Sequence, residues 1–211
     1  MRLPLRPWVY GFACFILWGA LSTAANPEEQ TPAHLVRHLV QAIGSIKAAE
    51  NGKLSEAARA NNTTATSTAN AILDIPEVSQ RVLGRHWAER TPAEQQEFVA
   101  LLTELFAKVA YPKSAEFFSD LNIQVTNERV TGQRAIVKTT VTDPKEGLIT
   151  VDYHLNKDNG SWHVRDIVLD DVSLALNLRS QMNKIIAEHS YAELLRRMRE
   201  KLTEEASPSQ K

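Results

Sequence analysis

Apolar and polar positions divide the chain into helical, then alternating, then helical pattern. Thr31-Pro32 reads as a helix cap followed by proline at the first helical position. Behind it Val36, Leu39, Val40, Ile43 and Ile46 recur at a period near 3.6. Residues 54–72 are rich in Ala, Thr and Asn, which predicts a helix with only a narrow buried stripe. Asp74 and Pro76 open a short helix through about Arg85, carrying Val78 and Val82, with Gly84 placed to end it. Thr91-Pro92-Ala93-Glu94 is a capping box. The helix behind it carries Phe98, Leu101, Leu102, Leu105, Phe106 and Val109, and Pro112 is expected to break it before a short further turn over 113–119.

The period then changes to 2. Leu121, Ile123 and Val125 alternate with polar residues, as do Ala135, Val137, Thr139 and Val141. Ile149, Val151, Tyr153 and Leu155 make a third strand, and Trp162, Val164 and Val168 a fourth. Turns at 142–147 and at Asn159-Gly160 join them. The expected fold is α+β: a curved four-stranded antiparallel meander covered by helices. Two helices follow, one lined by Leu174, Leu178, Met182, Ile185 and Ile186, the other opened by a capping box at Ser190–Glu193. The tail 204–211 is polar and expected to be flexible.

The first 25 residues do not belong to this pattern. Arg2 and Arg6 precede an apolar run of 14 residues from Trp8 to Leu21, short of the ~20 that span a bilayer. Thr23-Ala24-Ala25 then offers a small-residue cleavage site. Residues 1–25 are read as a secretory signal peptide, 26–203 as one α+β domain and 204–211 as its tail. Cleavage after Ala25 removes the single cysteine, Cys14, and leaves 22 basic against 25 acidic residues, a formal charge of −3. A cysteine-free, mildly acidic exported chain fits the periplasm. No basic excess points to nucleic acid, and no disulfide scaffold can form.

Candidate chemistry is sparse. The sequence has no phosphate-binding glycine loop, nucleophile elbow or HExxH. His34 and His38 lie one turn apart, but two ligands do not make a metal site. Neither metal nor cofactor is expected, and no residue is assigned to catalysis. Asp152/His154 and His163/Arg165 fall on the polar faces of their strands. Asp166 is in register with Trp162 and Val164, which points it inward unless the strand bulges, with Arg179 as a candidate ion-pair partner. The apolar faces of helix and sheet either fill one another or leave a cavity, and the pattern alone leaves both open.

Three runs resemble the MlaC family, also called the toluene-tolerance family. They are Val82-Leu83-Gly84-Arg85-His86-Trp87 with Thr91-Pro92, Gln95, Phe98 and Tyr111; Val151-Asp152-Tyr153; and Trp162-His163-Val164-Arg165-Asp166-Ile167 through Val172-Ser173-Leu174 to Asn177, Arg179, Ser180 and Gln181. Asp171, Leu178, Met182 and His86 depart from the pattern, which usually has glycine at the first, aromatics at the next two and tyrosine at the last. The ending Leu194–Leu202 is similar to a subgroup associated with hopanoid biosynthesis.

The resemblance implies a periplasmic lipid carrier rather than an enzyme. Such a protein holds a phospholipid by its acyl chains and shuttles it between an outer-membrane lipoprotein complex and an inner-membrane ABC transporter with an MCE-domain protein. The subgroup likeness leaves open a hopanoid or other polycyclic lipid, handled with another exporter. An isomerase- or dehydratase-like enzyme is the third reading. On the carrier reading the N- and C-terminal helices enclose an apolar pocket. Its wall is expected to be Phe98, Leu102, Leu105, Phe106, Val109 and Tyr111 from the long helix. Val137, Val141, Val151, Tyr153 and Val164 come from the sheet, and Leu174, Leu178 and Met182 from the following helix. Trp87 and Trp162 are assigned to packing.

Overall fold

Polar residues with helix-capping side chains set where the helices begin. In the computed structural model, which describes residues 31–49, 53–118, 123–143 and 147–206, Thr31 caps α1 (Pro32–Gly44) by accepting the His34 N–H at 3.1 Å. Ser55 does the same for α2 (Glu56–Leu73) through Ala58. The buried stripe of α2 is as narrow as its composition predicts: Ala65, Ala69, Ile72 and Leu73. Asp74, at φ +52°, turns the chain into α3 (Ile75–Leu83), and a 3₁₀ turn over Gly84–His86 follows. Thr91 and Glu94 close the predicted capping box at α4 (Pro92–Leu105), each accepting the other's backbone N–H.

Pro112 does not break the long helix. α4 passes through one π-helical turn, Phe106–Ala110, into α5 (Tyr111–Phe118), so the rod continues. Proline lacks an N–H, and its ring collides with the carbonyl four residues back in a regular helix. Here that carbonyl belongs to Lys108, inside the wider π turn, which accommodates the ring.

The sheet has five strands in the order β1-β2-β3-β4-β5, all antiparallel, rather than four. They are β1 (Ile123–Thr131), β2 (Arg134–Asp143), β3 (Gly147–Asp158), β4 (Ser161–Leu169) and β5 (Val172–Ser173). β5 exists because Asp170 (φ +44°) and Asp171 (φ +67°) both adopt the left-handed conformation and fold the chain back on β4. Aspartate enters that region more readily than most residues, so Asp171 makes the turn without glycine. β1 is bulged between Val125 and Asn127, and β4 is bulged opposite His154/Leu155. The signal-peptide reading of 1–25 and the strand position Leu121 lie outside the described residues.

α6 (Leu174–Glu188) and α7 (Tyr191–Ala206) end the fold, and α7 runs three residues past the predicted domain end at 203. Only half of the predicted capping box at Ser190 forms. Ser190 accepts the Glu193 N–H, but the Glu193 carboxylate binds Arg196 and Arg197 instead of reaching back. Helices α1, α2 and α6 pack toward the sheet, and α4 and α7 pair with each other. Phe98, Leu39, Leu83, Val137, Val141 and Leu155 are among the fully buried side chains of one continuous core.

Candidate functional site

The helix layer and the sheet do not close on each other completely. A cavity of about 460 Å³ lies between the end of α4, the π turn, α6 and β4. Its wall is mostly apolar. Leu102 and Leu105 reach it from α4, and Phe106, Val109 and Ala110 from the π turn. Leu174, Leu178 and Met182 line it from α6, with Val164 and Ile167 from β4. A second cavity of about 280 Å³ lies beside it, over Val151 and Tyr153. The two share Ile43, Ser114, Ile167 and Leu174 as common wall.

Nine of the fourteen expected lining residues border the larger cavity: Leu102, Leu105, Phe106, Val109, Tyr111, Val164, Leu174, Leu178 and Met182. Val151 and Tyr153 border the smaller one. Phe98, Val137 and Val141 border neither; each is 0% exposed and packs in the solid core. These three are therefore core residues and not wall. Ile43 of α1, Leu73 of α2, Val78 of α3 and Ile167 of β4 are wall residues that the strand and helix patterns mark only as apolar.

Polar groups sit at defined places on this wall. The Tyr111 hydroxyl donates to Asn70 Oδ1 at 2.7 Å, tying the start of α5 to α2. Gln181 donates to Asn177 Oδ1 at 2.6 Å, and both side chains lie on the exposed rim of α6. Asp166 does not meet Arg179. The bulge in β4 pairs Asp166 with His154 and makes Arg165 the extra residue. Asp166 Oδ1 accepts the N–H groups of Ile167 (2.9 Å) and Ala175 (3.1 Å), and Oδ2 accepts the Ser173 hydroxyl (2.6 Å). It is thus a clamp on the first turn of α6. Arg179 instead lies against Gly84, whose missing side chain makes room for the guanidinium: a Cβ there would stand 2.6 Å from its nitrogen.

Arg165, expected on a polar face, is 8% exposed and lines the cavity. Its guanidinium donates to Asp74 at 3.0 Å and to Asp158, joining sheet to helix layer. His34 and His38 stand with ring centroids 6.5 Å apart, and no group of three metal-ligating side chains occurs among the described residues. Asp152 pairs with Lys138 at 2.6 Å, and His163 contacts the Ala71 carbonyl. Trp87 and Trp162 pack against the core, as assigned.

Burial raises the phenols. Tyr153 is pushed up to about 12, and Tyr191 to about 12 by burial and then by Glu94. Burial raises Tyr111 still further. Well below pH 10, the ordinary value, folded and unfolded chains both keep these protons. Between 10 and 12 the unfolded chain ionises first, so stability falls as pH rises through that window. Tyrosinate absorbance followed against pH should therefore rise together with loss of the fold.

The profile of the MlaC protein family matches residues 37–200. The chain belongs to the MlaC family. No curated protein matches it in sequence. Among solved structures it is similar to the phospholipid-binding protein from Ralstonia solanacearum in complex with a phospholipid. That match has a TM-score of 0.63 at 19% identity and covers 82% of this chain and 97% of that one. In this MlaC-family chain the residues lining both cavities all lie inside the matched span. Among the described residues no helix is long and apolar enough to cross a membrane.

Proposed function

We propose that this chain is a periplasmic lipid carrier. It holds a phospholipid by its acyl chains in the cavity under α6, with the headgroup at the rim. It shuttles this cargo between an outer-membrane lipoprotein complex and an inner-membrane ABC transporter bearing an MCE-domain protein. Residues 1–25 direct export and are removed. The observation that carries the reading is the apolar cavity itself, in a fold shared with a protein described as phospholipid-binding. Family membership supports a binding protein rather than an enzyme.

The physical need for such a carrier is large. Burying a methylene stabilises by about 0.8 kcal/mol, so two chains of about 14 methylenes each resist entry into water by roughly 22 kcal/mol. Only an apolar interior of comparable extent offsets that. Two chains occupy on the order of 800–1,000 Å³. The larger cavity, 460 Å³, and its 280 Å³ neighbour together fall short of this. Leu174 and Ile167 border both, so outward movement of these side chains merges the two spaces as the second tail enters. Release follows when a partner favours the opened state.

Native mass spectrometry of the protein purified from a bacterial periplasm, with lipid extraction of the same sample, tests this. One phospholipid per chain is the expected result. A polycyclic lipid in its place would redirect the reading to that class. An empty protein that takes up no added lipid would overturn it.

A further inference from the structure

Polar side chains are few on the walls of the two cavities, and most of them already have partners. In the larger cavity Tyr111 is bonded to Asn70, Arg165 to Asp74 and Asp158, and Asp166 to three donors around the start of α6. Gln181 donates to Asn177, and on the smaller cavity Lys113 pairs with Glu205. Two hydroxyls differ. Those of Tyr153 and Ser114, both on the wall of the smaller cavity, bond to none of the described residues.

Tyr153 is the more informative of the two. It is 3% exposed and stands on β3 between Val137 and Ile167 of the neighbouring strands. A phenol so far withdrawn from water normally finds a partner inside the protein. Among the described residues, the one fully enclosed side-chain polar atom without a partner is Asn183 Oδ1. The Tyr153 oxygen is therefore not sealed into packing. It keeps some accessible surface, and the open space that Tyr153 borders is the smaller cavity. Burial raises this phenol to about 12, so at neutral pH it holds its proton and is a donor. The side chains around it, Leu39, Val40, Ile43, Val151 and Leu169, offer no acceptor.

Ser114 gives this donor its meaning. It borders both cavities and so marks where the two spaces meet. A lipid with one tail in each space sets its glycerol beside that fork. The ester carbonyls next to the glycerol accept hydrogen bonds and bring no donor of their own. We infer that the Tyr153 hydroxyl donates to an ester carbonyl of the cargo, so that the pocket selects ester-linked, diacyl lipids over ether-linked, dialkyl lipids of the same head and chain length. The inference rests on the carrier reading and specifies the linkage class of its substrate. A dialkyl lipid fills the same space but has no carbonyl, so its entry leaves the phenol unpaired against hydrocarbon. A site built around a buried donor rejects an analogue that lacks the matching acceptor.

The test is competitive loading. Purified protein is incubated with vesicles holding equal amounts of diacyl and dialkyl phosphatidylcholine of equal chain length, re-isolated, and its bound lipid quantified by mass spectrometry. The diacyl form should exceed the dialkyl form by roughly fivefold, the effect of one neutral hydrogen bond. Tyr153→Phe removes the oxygen and keeps the ring, and should bring the ratio close to one. The hydroxyl has no partner among the described residues, so the thermal melt of this variant should stay near the parent's, which separates lost selection from a loosened sheet. Equal loading of the two lipids by the parent, or a ratio unmoved in Tyr153→Phe, overturns the linkage selection and leaves the carrier reading standing. Uptake of neither lipid overturns both.

Discussion

Leu178→Asp is expected to leave the protein folded but nearly free of lipid. Leu178 sits in the middle of the α6 face of the cavity and is only partly buried. Without lipid, an aspartate there keeps access to water, and the helix loses only about 0.5 kcal/mol of propensity. With lipid in place the carboxylate is trapped against hydrocarbon. An unpaired polar group in such surroundings costs about 2–7 kcal/mol. Taking about 3 kcal/mol, affinity falls roughly a hundredfold. Lipid co-purifying with the variant, and its uptake from vesicles, should drop accordingly while the circular-dichroism melt stays close to the parent. A variant that retained full lipid would mean that the tails lie elsewhere.

The second large effect separates core from wall within one helix. Phe98 is fully buried in the core, whereas Phe106, two turns on, lines the cavity. Phe98→Ala should cost about 3–5 kcal/mol of stability, the usual range for a buried phenylalanine. For a domain of this size that lowers Tm by roughly 10 °C. Phe106→Ala should cost far less stability, because its ring already faces open space on one side, and should instead reduce lipid retention. Chemical denaturation together with lipid quantification reads both variants. If the two exchanged roles, with Phe98→Ala losing lipid at unchanged stability, the boundary drawn here between core and cavity would be wrong.

That boundary marks where pattern reading reaches its limit. Period 3.6 along Phe98, Leu102 and Leu105 places an apolar face correctly, because burial of that face is what the period records. The same signal treats Phe98 and Phe106 alike, since a side chain facing a void and one facing another side chain are equally withdrawn from water. In the sheet, alternation identifies Val137, Val141, Val151 and Tyr153 as one apolar face, yet only the last two meet a cavity. The contribution of Ile43 and Val78 depends on how α1 and α3 are laid over the sheet, which no local pattern encodes.

The wrong partner for Asp166 has a different origin. A period of 2 carries it inward with Val164, and a single extra residue, Arg165, turns it to the first turn of α6 while it still borders the cavity. A bulge leaves no compositional mark in a run such as Trp162–Ile167. Its two products are the buried guanidinium on the cavity wall and the carboxylate that clamps α6, and neither is visible without the register. The π turn is comparable: one residue beyond the helical repeat, betrayed only by Pro112 standing where a regular helix would reject it.

The irregular first strand also bears on how molecules of this protein behave toward one another. β1 stands at one margin of the sheet, and its kink at Val125–Asn127 interrupts the row of outward amides and carbonyls that another chain would need for strand addition. Glu128 and Arg129 add charge along the remainder. At the other margin, the two-residue β5 covers only the end of β4, and the rest of β4 is bulged at Arg165 and packed against α2. Neither margin offers a long, flat strip for extension, so the sheet resists fibrillar growth even though it carries a large apolar face within.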